Sequence, residues 1–382
     1  MKNIVILATG GTIAGAGEQG KDIGYKSGSI KAQTLIDAIP ELKNVANICV
    51  EQFCNINSDD VTSEIWIALV KRIEELLQRS DVDGIVMMHG TDTMEETAFF
   101  LNLTLGGSAP SAAGNVAKPV IMTGSMRPAT AAEPDGPANL FFAVKSAVDL
   151  CGRSVRESPN SALSCPPHEL PCPPEMSSRT PFRDHPLVNA KNATSSWSNA
   201  TGYSAEYTVG VYVAFAGKLM NARSVQKIHA NDLDAFAEIP ASCHPGFIPG
   251  APSCSAFDVS SLHSLPRVSV LYFNADADAE LVRFAAERSA GLVIAGAGAG
   301  EFSRAWADAI ADVISKNKIP VVISTRINRG RIVPEQLLVP GTIAAYDLPP
   351  AKAAVLLRLA LTITNDSATI QEMFESSCTL SS

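Results

Sequence analysis

Short continuous apolar runs alternate along the chain with stretches in which apolar positions recur every three or four residues. Residues 4–8, 84–88, 120–123 and 209–215 are apolar runs, each followed by a polar or glycine-bearing loop. Such runs predict strands buried on both faces. Between them, 64–78 sets Trp66, Leu69, Val70, Ile73, Leu76 and Leu77 on one side at helical spacing, with Thr62 and Ser63 available as caps. A second set follows Pro266, with strands predicted at 268–273, 291–295 and 320–324 and helices at 279–289, 303–315 and 350–361. The alternation predicts an α/β protein of two domains. The larger, N-terminal one (1–238) is a mostly parallel open sheet with helices on both faces, and the smaller, C-terminal one (267–382) is also α/β. The stretch 239–266 carries Pro240, Pro245, Pro249 and Pro252 and reads as the linker.

Residues 151–206 break the pattern. They hold 8 of the chain's 24 prolines and 10 serines but only five Leu, Ile or Val, with no periodicity. Too little apolar area is available there to offset the entropy of ordering. A disordered insertion is expected within the first domain, between a helix ending near Leu150 and the strand beginning near Val209. Cys165, His168, Cys172 and His185 fall in it, at spacings that match no standard metal-ligand pattern.

Composition narrows the function classes. The chain is 46% hydrophobic and 18% charged, which is globular. With 30 basic against 39 acidic residues it has a net charge of −9, whereas nucleic-acid binding wants a basic face. No apolar run approaches the ~18 residues of a membrane-spanning helix. The 8 cysteines show no CxxC spacing, which favours free thiols. The apolar run after Lys2 is too short for a secretory leader, so a cytoplasmic protein is expected.

Candidate chemistry gathers where predicted strands end, the usual place for ligands in open α/β sheets. Thr9-Gly10-Gly11-Thr12-Ile13-Ala14 follows the first strand, and its two glycines let the backbone turn sharply and present Thr12. Neither GxGxxG nor a P-loop is present, which removes a dinucleotide-binding oxidoreductase. His89-Gly90-Thr91-Asp92-Thr93-Met94 follows the third run and packs two hydroxyls and an acid into a loop that opens a helix. Thr91, Asp92 or Thr93 could cap that helix, with Glu96 completing a capping box. His89 reads as a satisfied structural residue rather than a base. Lys227, if desolvated beside an aspartate, could accept or donate a proton.

These two segments together resemble the paired signatures of the bacterial-type L-asparaginases. Met126-Arg127-Pro128, Asp135-Gly136-Pro137-Ala138-Asn139-Leu140 and Ala354-Val355-Leu356-Leu357-Arg358-Leu359-Ala360-Leu361 are similar to that family as well. The resemblance runs from residue 3 to about 375, interrupted at 151–206. It implies hydrolysis of the side-chain amide of L-asparagine through a threonine-linked acyl-enzyme, with minor glutaminase activity and no metal or organic cofactor. By position, Thr12 would be the nucleophile, Thr91, Asp92 and Lys227 a facing polar cluster, and Tyr25, within the segment 20–28, a residue closing over the substrate. Ser58, Asp59 and Asp92 would hold the α-carboxylate and α-ammonium, with Asp59 where the family usually carries glutamine or glutamate. The resemblance also implies a homotetramer whose sites are completed across a subunit interface, with Glu301 touching the neighbour's substrate and Glu335 supporting its tyrosine. The alternative is an impaired, amino-acid-binding member of the same fold.

Overall fold

The computed structural model describes residues 1–15, 30–105, 118–151, 210–239 and 257–378. Tyr25, nearly all of the stretch 151–206 and the proline-rich 240–256 lie outside the described residues.

The first strand, β1 (Asn3–Gly10), is buried at every residue but its first. Its side chains alternate between two cores: Val5 and Leu7 enter one, Ile4, Ile6 and Ala8 the other. β3 (Gly84–Met88), β4 (Val120–Thr123) and β5 (Val211–Phe215) are fully buried too. This double burial is why all four read as continuous apolar runs. Two further strands complete the sheet: β2 (Asn47–Ile56) beside β1 and β6 (Lys218–Asn221) beside β5. The spatial order is β2-β1-β3-β4-β5-β6, parallel throughout except for the last pair.

Helices α1 (Ala32–Asp37) and α4 (Gly136–Leu150) cover one face, and α2 (Ser63–Gln78) and α3 (Met94–Thr104) the other. α2 puts Trp66, Ile67, Leu69, Val70, Ile73 and Leu76 inside. Thr62 takes its cap position without a side-chain cap bond. α3 likewise begins without the expected capping box. Thr93 occupies the cap, but its hydroxyl donates to the Ser58 carbonyl instead, at 2.7 Å.

The C-terminal lobe is a four-stranded parallel sheet, with β9 (Val268–Tyr272), β10 (Gly291–Gly296), β11 (Val321–Thr325) and β12 (Ile343–Ala344) in the order β12-β11-β10-β9. α5 (Glu280–Ala286) and α6 (Arg304–Asn317) cover its outer face; α7 (Pro350–Ala360) and α8 (Ser367–Cys378) cover the inner one. α7 packs on α3 of the first lobe, so one hydrophobic core runs through both. The end of the proposed linker belongs to that core: Phe257 and Val259 are buried in it, and Phe257 N–H donates to the Leu103 carbonyl at 3.0 Å. A hairpin of β7 (Val225–Lys227) and β8 (Phe236–Glu238) lies between the lobes.

In the first sheet the strand order turns at β1 and β3, because β1 leads outward to β2 and β3 leads the other way. Ligands bind at such a switch point. Two glycines shape it. Gly11 sits at φ +82°, ψ −177°, a region that essentially only glycine occupies, and a Cβ there would lie 2.5 Å from the Gly90 nitrogen. Gly90 in turn has Ser58 Oγ 2.7 Å from its own Cβ position. Gly11→Ala is expected to cost about 2–4 kcal/mol, through backbone strain and the collision with Gly90. A urea-unfolding midpoint equal to that of the wild type would contradict it.

Candidate active site

Three loops meet at the switch point. The first leaves β1 through Gly10 and Gly11 into a short 3₁₀ turn, Thr12–Ala14, with Thr12 half-buried at its start. The second leaves β2 and forms the turn Ser58–Asp60. The third leaves β3 as His89-Gly90-Thr91-Asp92 and enters α3. The Gly11–Gly90 contact sets the first and third loops side by side, so Thr12 and Thr91, each following one of these glycines, are neighbours across it.

The region behind Thr12 explains the two motifs that follow β4. The Asp135 carboxylate accepts the backbone N–H groups of Met126 and Arg127, both at 2.9 Å. Asn139 donates to the Gly124 carbonyl at 3.0 Å and accepts from Ala216 N–H at 3.0 Å. Ala129 N–H then donates to the Gly15 carbonyl at 3.1 Å, fastening this loop to the Thr12 turn. These residues act as supports, a role their types alone did not disclose.

Lys227, the last residue of β7, joins the cluster. Its ammonium donates to Thr91 Oγ1 at 3.0 Å and to Asp92 Oδ1 at 2.6 Å. The lysine side chain is 15% exposed and that of Asp92 70%. Ser58 is buried, and its Oγ accepts Asp92 N–H at 3.2 Å, so the second loop holds the third. Asp59 is exposed on the same turn. A cleft of about 380 Å³ opens beside the cluster, lined by Asp92, Glu95, Lys227, Ile228, His229 and Ala230. The structure thus brings Thr12, Ser58, Thr91, Asp92 and Lys227 to one place. Glu301, just past β10, and Glu335, in the turn Pro334–Gln336, are exposed on the C-terminal lobe and make no contact with this cluster among the described residues.

His89 is structural. It is fully buried, and burial pushes it down to about 4. Its Nδ1 faces the Gly90 carbonyl at 2.7 Å and therefore carries the proton. Nε2 is then an acceptor for the Thr97 hydroxyl at 3.2 Å, and that hydroxyl accepts Trp66 Nε1–H at 2.9 Å. Every polar atom in this chain is satisfied by a neutral imidazole, which leaves no lone pair for catalysis. Next to it Glu96 is driven up to about 7, first by burial and then by the Glu95 carboxylate, against the pull of Arg358 and Lys352.

A family model described as the N-terminal asparaginase domain matches residues 3–155 and 183–245. One described as the glutaminase/asparaginase C-terminal domain matches 267–374. The first leaves 156–182 unmatched, a shorter stretch than 151–206. The chain is 35% identical over 380 residues to L-asparaginase 2 of Bacillus subtilis, covering 98% of this chain and 86% of that one. It is also 35% identical over 383 residues to a "Probable L-asparaginase periplasmic" of Haemophilus influenzae, covering 98% and 93%. A solved structure, the "Probable Cytoplasmic L-asparaginase" of Campylobacter jejuni, superposes with a TM-score of 0.74 at 34% identity, covering 98% of this chain and all of that one.

Two outcomes follow from the buried network. Thr97→Val strands Trp66 N–H and His89 Nε2 together and is expected to cost about 1–3 kcal/mol in unfolding free energy; an unchanged urea midpoint would refute the proton assignment. The native Glu96 carboxyl keeps its proton up to about pH 7 where the unfolded one titrates near 4.5. Its contribution to stability is therefore complete below pH 4.5 and is lost as the pH rises through 7. Relative to wild type, Glu96→Gln is expected to gain about 3 kcal/mol between pH 4.5 and pH 8. Parallel stability curves for the two proteins would rule this out.

Proposed function

The chain belongs to the asparaginase family, and from that premise we propose that it hydrolyses L-asparagine to L-aspartate and ammonia, with L-glutamine as a slower substrate. The observation that carries the reading is Lys227, whose ammonium bonds both Thr91 and Asp92 beside the loop that presents Thr12. A threonine hydroxyl is a weak nucleophile near its free pKa and needs a neighbouring proton acceptor. The Thr91–Lys227–Asp92 cluster supplies a route for that proton.

In this mechanism Thr12 Oγ attacks the amide carbon as its proton passes into the cluster. The C–N bond breaks as the amide nitrogen takes up a proton, and ammonia leaves. Water then adds to the Thr12 ester, and aspartate departs with the hydroxyl restored. Ser58 and Asp59 receive the α-carboxylate and α-ammonium together with Asp92, and Tyr25 closes over them. Carboxylates at the ammonium end disfavour amides that lack it. The exposure of Glu301 and Glu335 on the C-terminal lobe supports a homotetramer in which both reach a neighbour's site. Among the described residues no helix is long and apolar enough to cross a membrane. The proposed place of action is the cytoplasm, as named for the Campylobacter jejuni protein.

Ammonia release from L-asparagine and L-glutamine tests the reading directly. Wild type is expected to release ammonia faster from asparagine, and Thr12→Ala to lose about 10³-fold in kcat, roughly 4 kcal/mol of transition-state stabilisation. A folded wild-type protein that hydrolyses neither amide would leave the binding-protein alternative standing; full activity in Thr12→Ala would remove Thr12 as nucleophile.

A further inference from the structure

The cluster depends on where Lys227 stands, and Lys227 sits on a strand that, among the described residues, pairs with another strand along one edge only. Along β7 and its flanks the even-numbered residues bond the partner strand, as in the bonds from Ile228 N–H to the Ala235 carbonyl at 2.8 Å and from Ile239 N–H to the Ser224 carbonyl at 2.9 Å. Val225 and Lys227 point their backbone groups the other way. Two charged side chains serve that edge. Glu95 Oε2 accepts the backbone N–H of Lys227 at 2.5 Å. Lys352, fully buried on α7 of the C-terminal lobe, donates to the carbonyls of Ala222, Arg223 and Val225 at 3.0, 2.7 and 2.6 Å. Three acceptors match the three protons of an ammonium. Burial pushes the Lys352 ammonium down to about 7, and the Glu95 carboxylate pulls against that, toward the charged form.

We infer that Glu95 is a positioning residue, which together with Lys352 takes the place of a neighbouring strand along β7 and sets the reach of the Lys227 ammonium to Thr91 and Asp92. The loop entering α3 and the helix's first turn thereby grip Lys227 at three points. Thr91 and Asp92 hold its Nζ, and Glu95, three residues on, holds its backbone. The Glu95 carboxylate meets the Lys227 N–H and the Lys352 side chain meets the Val225 carbonyl, each a charged group matched to a backbone partner. Glu95 bonds the backbone of Lys227 and not its ammonium, so its effect passes through Lys227. The inference rests on the catalytic role proposed for Lys227, while its geometric half stands independently.

The test uses the full chain. Glu95→Ala is expected to lower kcat for L-asparagine 10- to 100-fold with KM within twofold, and Glu95→Gln, which keeps an acceptor oxygen, to restore kcat to within threefold. Because Glu95 acts through Lys227, its loss should add little in a Lys227→Met background. A multiplicative loss there would overturn the inference, since a purely structural defect persists whether or not the lysine is present. A crystal structure of Glu95→Ala supplies a readout independent of turnover. Lys227 Nζ should leave Thr91 Oγ1, and retention of both contacts would overturn the proposal even if the wild type proved inactive on amides. Should Glu95→Ala fail to fold, Glu95→Asp keeps the charge facing Lys352 but withdraws it by one methylene. Wild-type kcat in Glu95→Asp would refute the role, and a several-fold drop at constant KM would support it.

Discussion

The site depends on a backbone-to-backbone approach with no room for a single carbon atom. Where Gly11 meets Gly90, a side chain on either would collide with the neighbouring loop. The contact falls at the point where the strand order reverses, between β1 and β3, whose ends lead into the two threonines. Next to it, Gly10 would place a Cβ 2.5 Å from the Ile56 carbonyl oxygen, and the register between β1 and β2 slips between Ala8 and Gly10. Past the slip Gly10 still pairs with Ile56, and Gly11 N–H donates to the Ile56 carbonyl at 3.0 Å. Burial of β1 on both faces makes this possible, because a strand clamped by two cores can carry an unfavourable turn at its end without moving.

A second constraint is the handling of charge between the lobes. Arg223 forms a two-pronged pair with Asp347 at 2.7 and 2.8 Å and also donates to the Ser377 carbonyl at 2.6 Å. Lys352 is satisfied entirely by backbone carbonyls. Removing such groups from water costs as much as their pairing returns, so they are weak sources of net stability. Their consequence is geometric. Asp347, Ser377 and Lys352 of the C-terminal lobe all hold the segment 222–225 that leads into Lys227. The second lobe thus helps place the lysine of a cluster whose other members sit on the first.

This division explains what could be read from the sequence. β3 and β4 were legible to the residue, and β1 nearly so, because double burial gives an unbroken apolar run. β2 was not, since it lies at the sheet edge and mixes polar residues such as Glu51, Gln52 and Asn55 into an irregular alternation of half-buried and exposed positions. β7 and β12 are two or three residues long and leave no periodic trace. Thr12, Thr91 and Asp92 stood out because hydroxyls and an acid beside glycines at strand ends are chemically conspicuous. Lys227 could be offered from the sequence only on the condition that an aspartate lay beside it, and nothing local shows that Asp92 does. Glu95 was hidden by its position: an acid in the first turn of a helix reads as a dipole partner, and only the tertiary structure shows the strand edge it meets.

The Lys227–Asp92 pair shows how the remaining parts fit. With Asp92 70% exposed, the pair is solvated on one side, and such pairs contribute about 0–1 kcal/mol to stability. Its place in the structure is therefore better understood through charge than through folding energy. At a fixed separation, moving from bulk water to the edge of a protein raises the Coulomb interaction about fourfold. On the proposed mechanism, a substrate seated on Ser58 and Asp59 would make that change by displacing water from Asp92. The lysine would then be drawn more firmly to the acid at the moment a proton has to be accepted from the nucleophile's side, while the backbone grip at Glu95 and Lys352 keeps the strand from following. A cluster open on one side and braced from behind is thus completed electrostatically by what binds to it.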